Sequence, residues 1–349
     1  MKKSRFFTGL IIIILTIIPF SLFSQHKSNE EGRAVWISSG NFSQEKDEAS
    51  IQIKNMLDNY AEIGINNLFC FSSMMSQHQK KWDFLAVLLE EAHERNMKVH
   101  PIFTPGGRKN LEGEIKEHPE WLIRGIKGEI YPNLNIAHPG VKEYFIKLVS
   151  EALKYDIDGI HLDYIRFQVN QGFSYDKPTC EAFKKEYGYS PIEVHHDCGS
   201  MVWSKWIKWN AKHVTSLVKE VKKTINQSGK NVVLGVDVFP DHEAAKILIG
   251  QDWKLWAEEG LVNIICPMFY TNNPDLFKLY VQEAVKAADG KCLVYPGIAC
   301  RSSHNINTPE GVVQEVLISR ETGADGMVFF SGSSLTDEFM KKLKQVVFK

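Results

Sequence analysis

The sequence predicts an α/β fold, specifically a TIM (β/α)8 barrel with insertions after the third and fourth strands. After residue 30, a short β-branched or aromatic run bounded by turn residues recurs eight times, each time followed by an amphipathic stretch. This is the pattern of βα units. The runs lack polar alternation, as expected of parallel strands buried on both faces. Eight such strands, each followed by a helix, close into a barrel, and a doubly wound open sheet is the alternative.

The predicted strands and helices alternate along the chain. The strands are expected at 32–39, 65–73, 97–105, 159–167, 231–240, 262–270, 292–300 and 326–334. Amphipathic segments typical of helices are clearest at 49–63, 82–96, 141–155 and 335–348. The chain has 349 residues, and a barrel commonly occupies about 250 residues or more as one unit. Because no linker marks a second unit, residues 30–349 are predicted to form a single domain.

Two connections are longer than a barrel requires. Residues 111–138 follow the third strand, and about 168–230 follow the fourth and hold more than one helix. Both insertions come after the C-terminal end of a strand, which is the face on which barrel enzymes build their sites. We therefore expect them to wall or cover a cleft.

Residues 1–25 are interpreted as a secretory signal peptide. Three basic residues precede an apolar run over 9–20, which ends in a short stretch that includes serines. An uncleaved membrane anchor is the alternative, because 6–23 is close to the roughly 18 apolar residues of a spanning helix. Both interpretations place the rest of the chain outside the cytoplasm, in the periplasm, at the cell surface or in the medium.

Composition excludes several classes of protein. Lys plus Arg number 41 against 42 Asp plus Glu, whereas a nucleic-acid binder normally carries a basic excess, so no nucleic-acid partner is expected. A hydrophobic content of 44% argues against a disordered chain. Four of the six cysteines lie in or beside apolar runs and are expected to be buried thiols, while Cys180 and Cys198 share a polar stretch where a disulfide could form.

No metal and no cofactor are predicted. The cysteine and histidine spacings do not resemble a zinc site, and the run His195-His196-Asp197 is interpreted as a solvated loop. No phosphate-cradling Gly-rich loop follows a predicted strand.

An acid stands inside each of two consecutive apolar strands, Asp163 in the fourth and Asp237 in the fifth. Burying an acid costs several kcal/mol unless it is paired or functional. Neighbouring strands lie about 4.8 Å apart, so two inward carboxylates at one height could approach the roughly 5 to 5.5 Å separation of a retaining glycosidase pair. Both acids are therefore candidates for catalysis.

The residues around these acids leave alternatives open. Arg166 follows Asp163 closely and is the second candidate of the fourth strand, but Asp237 could instead serve only as its ion-pair partner. His161 shares the alternation of Asp163 and could line the mouth or be a core histidine. Asp158, ahead of the strand and beside a glycine, is expected to have a turn or capping role.

Aromatic and polar residues at other strand ends predict a sugar-binding surface, because rings stack on pyranose faces while polar groups bind hydroxyls. The substrate-binding candidates are Trp36, Phe103, His161, Met268, Tyr270 and Arg301, with Phe71, Asn272, Asn273 and Phe330 beside them.

Seven segments along the chain resemble one known family, at 32–37, 118–121, 133–139, 156–164, 266–270, 297–299 and 330–335. They are similar to the glycosyl-hydrolase-like family ten, bacterial envelope and secreted glycoside hydrolases with a TIM-barrel fold. The residues at 162–167 and 236–239 are also similar to those of a neighbouring glycosyl hydrolase family of the same barrel type. The resemblance implies a catalytic acid at Asp163 and adds Asn135 to the substrate-binding candidates.

The chain departs from the family pattern in one respect. Members often carry two consecutive acids where this chain has Asp163-Tyr164, and a polar or small residue where it has Asp237. Either the second carboxylate has moved to the fifth strand or the pair is incomplete. A chitinase of the related signature is not expected, because Ile165 stands where that signature needs a glutamate.

The sequence therefore predicts an exported glycoside hydrolase that cleaves a polysaccharide or glycan with two carboxylates. Asp163 is expected to act as nucleophile or general base and Asp237 as general acid, with Arg166 orienting or tuning the pair. Asp241 and Glu243 are reserve acids just beyond the fifth strand. The alternative is a catalytically inactive barrel that binds glycans in the cell envelope, which the lack of a glutamate at any strand tip favours.

Overall fold

The computed structural model describes residues 30–71, 82–107, 111–193 and 199–348. Nine parallel strand segments form one curved sheet, and two antiparallel strands form a separate hairpin. The strands are β1 Gly32–Ser38, β2 Asn67–Phe71, β3 Lys98–Phe103, β4 Leu122–Arg124, β5 Ile130–Leu134, β6 Gly159–Leu162, β7 Val233–Val238, β8 Ile264–Pro267, β9 Leu293–Val294, β10 Gly297–Ala299 and β11 Gly326–Phe330.

The sheet closes on itself and forms the predicted barrel. Its order is β10-β11-β1-β2-β3-β6-β7-β8-β9, and β9 and β10 are two segments of the seventh predicted strand. They are separated at Tyr295-Pro296, where proline has no N–H to donate to a neighbour. β9 pairs with β8, β10 pairs with β11, and Met268 bridges to Gly297 across the seam. All eight predicted strands are confirmed, and the doubly wound alternative is wrong.

Helices surround the barrel. They are α1 Lys46–Glu62, α2 Phe84–His93, α3 Gly113–Glu117, α4 Pro139–Ala152, α5 Lys177–Tyr187, α6 Met201–Gln227, α7 His242–Ile249, α8 Trp253–Glu258, α9 Pro274–Ala288, α10 Pro309–Glu321 and α11 Asp337–Val346. Capping residues set where several begin: Asp176 and Asn273 accept hydrogen bonds from the first-turn N–H groups of α5 and α9, each followed closely by a proline.

Alternating residues of each strand face two different cores. One set packs outward against the helices, for example Val35 and Ile37 of β1. The other set fills the barrel interior and comprises Ala34, Trp36, Phe69, Ile102, Ile264, Cys266, Tyr295 and Val328. Because both faces are apolar, the strands show no polar alternation in the sequence.

The two predicted insertions are present and pack against each other. The first contains α3 and the β4-β5 hairpin, and the second contains α5 and the 27-residue α6. The N–H of Arg124 in the hairpin donates to the Ser174 hydroxyl at 3.0 Å, and the N–H of Tyr175 donates back to the Arg124 carbonyl at 2.8 Å.

Several expectations concern segments outside this description. Residues 1–29, the run His195-His196-Asp197 and Cys198 are not among the described residues. Cys180 is a buried free thiol, and Cys70, Cys266, Cys292 and Cys300 are buried thiols as expected. Among the helices of the described ranges, none combines the length and apolar character that a membrane span requires.

Candidate active site

Asp163 and Asp237 lie side by side at the barrel mouth. β6 and β7 pair in register from Gly159↔Val233 to Leu162↔Val236, so the next level joins Asp163 to Asp237. Both share the alternation of the inward-facing His161, and neighbouring strands are about 4.8 Å apart. Asp163 is 7% exposed and Asp237 is 2% exposed. The structure therefore brings the two predicted acids together.

A tight turn holds the Asp163 carboxylate. Tyr164 adopts a left-handed backbone conformation with φ 50°, and its N–H donates to Oδ1 of Asp163 at 2.6 Å. The Tyr164 carbonyl also accepts from the Gly106 N–H at 2.8 Å, which ties the loop after β3 to this turn. Gly106 is needed for that approach, since a Cβ there would lie 1.9 Å from the Arg166 carbonyl oxygen.

Burial raises the proton affinity of both acids, and the neighbouring Asp237 raises that of Asp163 further. Burial, followed by the nearby Asp237 charge, raises the pKa of Asp163 to about 7, while Arg166 opposes the shift. Burial raises the pKa of Asp237 well above its usual value, against the lowering effects of the Trp36 hydrogen bond and the Arg166 charge.

Asp237 is held from two sides. The indole Nε1–H of Trp36 on β1 donates to its Oδ2 at 3.2 Å, and Nε2 of His161 lies 2.8 Å from its Oδ1. His161 is fully buried and stacks on the Phe69 ring with 4.3 Å between centroids. The histidine thus lies beneath the mouth and contacts the acid, rather than lining the substrate surface.

Arg166 is packed between aromatic rings. Its guanidinium carbon lies 4.5 Å from the Tyr164 ring centroid and 4.7 Å from that of Phe239. Its Nη1 donates to the Phe167 carbonyl at 3.3 Å. Within the described part of the chain it makes no ion pair within 4.0 Å with Asp237, whose carboxyl contacts His161 and Trp36 instead. The expectation that Asp237 is only the ion-pair partner of Arg166 is therefore not supported.

Aromatic residues continue the wall of the mouth. Tyr270, after β8, packs on Phe330 of β11 with 5.3 Å between ring centroids, and Phe330 lies 5.9 Å from Trp36. Burial, followed by the charges of Asp237 and Asp163, raises the pKa of Tyr270 well above its usual value. Met268 is half-buried in the β8 bridge, and Arg301 is exposed on the loop after β10.

Phe103 and Asn135 do not lie in this group. Phe103 is fully buried in the core that faces the helices, because the inward position of β3 is its neighbour Ile102. Asn135 is fully buried in the insertions, where its Nδ2 donates to Asp176 at 2.8 Å and to Thr179 at 2.9 Å. Their side chains are used in packing and in joining the insertions, which corrects the expectation that they bind substrate.

Asp158 and Asp241 have structural partners. Oδ2 of Asp158 accepts from the Val99 N–H at 2.8 Å and lies 3.0 Å from His93 Nε2 at the base of the barrel. Asp241 caps α7 by accepting from the Ala244 N–H at 2.9 Å. Residues that sequence reasoning missed are Gly235 and Phe69, which make room for and stack on His161. A glycine inside a strand was the available signal.

One group of side chains has the composition of a metal site. Ligand atoms of His161, Asp237 and Cys266 lie within 4.8 Å of one another, all buried. The imidazole and carboxylate are already hydrogen-bonded at 2.8 Å. Burial and the Asp237 charge also raise the pKa of the Cys266 thiol well above its usual value, whereas the thiolate is the ligating form. The chemistry of this donor set therefore fits a hydrogen-bonded support of Asp237 better than a metal centre.

The closed α/β barrel is of the glycoside hydrolase type, and two adjacent buried carboxyl groups lie at the C-terminal ends of its strands beside aromatic rings. The chain belongs to the glycosyl hydrolase-like 10 family, whose family model matches residues 31–310.

Two relatives are similar over most of the chain. Glycosyl hydrolase YngK of Bacillus subtilis (strain 168) is 25% identical over 321 residues, covering 76% of this chain and 59% of that protein. Glycosyl hydrolase DigH of Escherichia coli (strain K12) is 22% identical over 310 residues, covering 70% of this chain and 66% of that protein. The chain thus spans less than two thirds of the length of either relative.

Solved structures share the fold. The glycoside hydrolase domain of PgaB (BpsB) from Bordetella bronchiseptica superposes with a TM-score of 0.73 at 9% identity, covering 91% of this chain and 99% of that one. A β-galactosidase from the psychrophilic Marinomonas ef1 gives 0.66 at 12% identity, covering 90% of this chain and 58% of that one. At these identities the likeness concerns the fold alone.

Proposed function

We propose that this protein is a glycoside hydrolase that cleaves a polysaccharide or glycan, with Asp163 as nucleophile or general base and Asp237 as general acid. The observation that carries the proposal is the placement of two inward carboxyl groups at one level of adjacent strands, both buried at the barrel mouth. Family membership and the glycoside hydrolase fold support the same class of reaction.

The two acids form a coupled pair, in which one carboxyl group can hold a proton while the other is ionised. A general acid must keep its proton at the working pH, and the pKa of Asp237 is raised well above its usual value. Asp163, with a pKa of about 7, ionises near neutrality, and Arg166 favours its charged form. One Asp163 oxygen is held by the Tyr164 N–H, and the other has no hydrogen-bond partner among the described residues. That oxygen is available to a water molecule or to the anomeric carbon.

The reaction balances with these groups and one water. Asp237 gives its proton to the glycosidic oxygen as the bond between that oxygen and the anomeric carbon breaks. In one course Asp163 bonds to the anomeric carbon, and a water molecule then breaks that bond while giving a proton back to Asp237. In the other course Asp163 removes a proton from the water as the water oxygen bonds to the anomeric carbon. The first course retains and the second inverts the anomeric configuration, and the separation of the carboxylates decides between them. Tyr270 and Phe330 supply aromatic faces for a sugar ring.

The experiment is reducing-sugar release from a panel of bacterial and plant polysaccharides. We expect release by the wild-type protein and a loss of roughly 100-fold or more in Asp163→Asn and Asp237→Asn. Glu321→Gln is the matched control, because Glu321 is an exposed acid on α10 and should leave the rate unchanged. A wild-type protein that binds a polysaccharide without cleaving any would favour the glycan-binding barrel instead.

We also propose that the protein acts outside the cytoplasm after export. The support is the basic and apolar pattern of residues 1–25. The first described residues lie at the base of the barrel, on the side opposite the two carboxyl groups. There Glu31 forms ion pairs with Arg33 at 2.8 Å and with Arg320 at 2.6 Å. N-terminal sequencing of the protein from a fractionated bacterial host tests this, since an intact Met1 in the cytoplasmic fraction would contradict export.

A further inference from the structure

His161 makes a contact that the two-carboxylate reaction does not by itself explain. The imidazole is fully buried on β6, beneath the mouth, with its Nε2 2.8 Å from Oδ1 of Asp237. Its other nitrogen, Nδ1, has no hydrogen-bond partner within the described ranges. The ring is fixed by stacking on Phe69 and by the space above Gly235.

This environment selects one form of the imidazole. Burial lowers the pKa of His161 to about 3, so the ring is neutral at physiological pH and carries one N–H. A proton on Nδ1 would be a buried donor without an acceptor, which is costly and rare in proteins. A proton on Nε2 points at the Asp237 carboxyl. The neutral Nε2–H form is therefore favoured.

We propose that His161 is a positioning residue for the catalytic acid: its Nε2–H occupies Oδ1 of Asp237, so that the carboxyl proton resides on Oδ2. The inference rests on the proposed function only in naming Asp237 as the acid. The indole N–H of Trp36 contacts Oδ2 at 3.2 Å through another lone pair and fixes the rotation of the carboxyl group. His161 thus decides which oxygen delivers the proton to the glycosidic bond, and Trp36 fixes the orientation of the carboxyl group.

The surroundings supply no competing partner for the ring. The titratable and charged groups that face Asp237 or His161 are Asp163 and Arg166 after β6, Cys266 on β8, Tyr270 after β8 and His100 on β3. His100 is itself kept neutral, because burial lowers its pKa to about 3. None of these groups hydrogen-bonds to Nδ1 in the part of the chain that the structure describes.

Nitrogen NMR of the full-length protein labelled with 15N-histidine tests the proposal without any substrate. The His161 signals are assigned by their loss in His161→Gln. We expect the neutral Nε2–H tautomer to persist unchanged from about pH 5.5 to 8. An imidazolium signal in that range, or a proton on Nδ1, would overturn the proposal. The tautomer is determined in the wild-type protein, and the variant serves only to assign the His161 signals.

A second measurement separates this inference from the proposed function. The Gln amide of His161→Gln can still donate to Asp237, whereas His161→Leu cannot, and we expect the Leu variant to lose on the order of 100-fold in kcat and the Gln variant much less. Removing the donor also disfavours the ionised acid, so the alkaline limb of the pH profile should move upward in the Leu variant alone. Equal losses in both variants would contradict the role of His161. If the wild-type protein shows the Nε2–H tautomer but no activity, the proposed function is wrong and the hydrogen-bond assignment of His161 stands.

Discussion

Gly235 on β7 lies directly opposite His161 on β6, and its missing side chain is the space that the imidazole occupies. The two residues are register partners, and a Cβ at position 235 would lie 2.4 Å from Nδ1 of His161. Glycine inside a strand weakens it and often marks a close approach of another group. Here the approaching group is the ring that contacts Asp237 at 2.8 Å. The absence of a side chain at position 235 therefore allows the contact between His161 and the Asp237 carboxyl group.

Gly235→Ala is expected to displace the imidazole and weaken its contact with Asp237. Overpacking a buried site usually costs about 1 to 3 kcal/mol in the free energy of unfolding. Urea unfolding should show this loss, together with a fall in glycan cleavage that exceeds the fall in folded protein. Gly199→Ala serves as control, because a Cβ there meets no atom of the described residues within 4 Å. Equal stability of the two variants would contradict the assigned contact.

The plot of cleavage rate against pH should be bell-shaped, with its acid limb near pH 7. Asp163 must be ionised, and its pKa is about 7, so activity rises as the pH increases through that value. Asp237 must keep its proton, and its pKa lies well above the usual value, so activity falls again at higher pH. The two limbs belong to the coupled pair. Initial rates from pH 5 to 10 check this, with far-UV circular dichroism at each pH as the control for unfolding, and a limb near pH 4 would refute it.

Trp36→Phe should move the alkaline limb upward. The Nε1–H of Trp36 donates to Oδ2 of Asp237 at 3.2 Å and lowers the pKa of that acid. Phenylalanine keeps the apolar ring but lacks the donor, so the proton is held more tightly and kcat falls. Trp256→Phe is the matched control, since it removes a buried indole donor to Thr215 on the helical side. A limb that shifts equally in both variants would point to a general effect of destabilisation.

A buried carboxyl outside the barrel mouth makes stability depend on pH. Oε1 of Glu315 on α10 accepts from Asn307 at 3.1 Å, and Oε2 has no partner among the described residues. Burial raises its pKa from 4.5 to about 8. Between these two pH values the folded protein holds a proton that the unfolded chain has lost. The contribution of Glu315 to the free energy of unfolding is therefore fully present at low pH and is lost as the pH rises to about 8.

Glu315→Gln should remove that loss while keeping an acceptor for Asn307. We expect the free energy of unfolding of the variant to match that of the wild type near pH 5 and to exceed it at pH 8 by on the order of 3 kcal/mol. Urea unfolding at the two pH values measures the difference. Glu321→Gln, on the exposed face of the same helix, should show none. A variant no more stable than the wild type at pH 8 would contradict the buried, proton-holding state of Glu315.

Much of the barrel could be predicted from the amino-acid sequence. Eight apolar runs at regular spacing specify eight buried parallel strands, and only the break at Tyr295-Pro296 within the seventh was not foreseen. Asp163 and Asp237 were identifiable because an acid inside an apolar strand is too costly to be incidental. Their positions on neighbouring strands followed from the order of the strands along the chain, whereas their shared level depends on the register between β6 and β7.

The tertiary structure alone decided which apolar residues face the barrel interior. Strands buried on both sides carry no polar alternation, so nothing in the sequence separates Ile102, which points inward, from Phe103, which points to the helices. Likewise Asn135 meets Asp176 only because the two insertions pack together across 41 residues of sequence. The depth of His161 depends on the register between β6 and β7, which leaves Gly235 opposite it. Local composition determined the strands and their acids, whereas contacts between distant segments determined what each side chain meets.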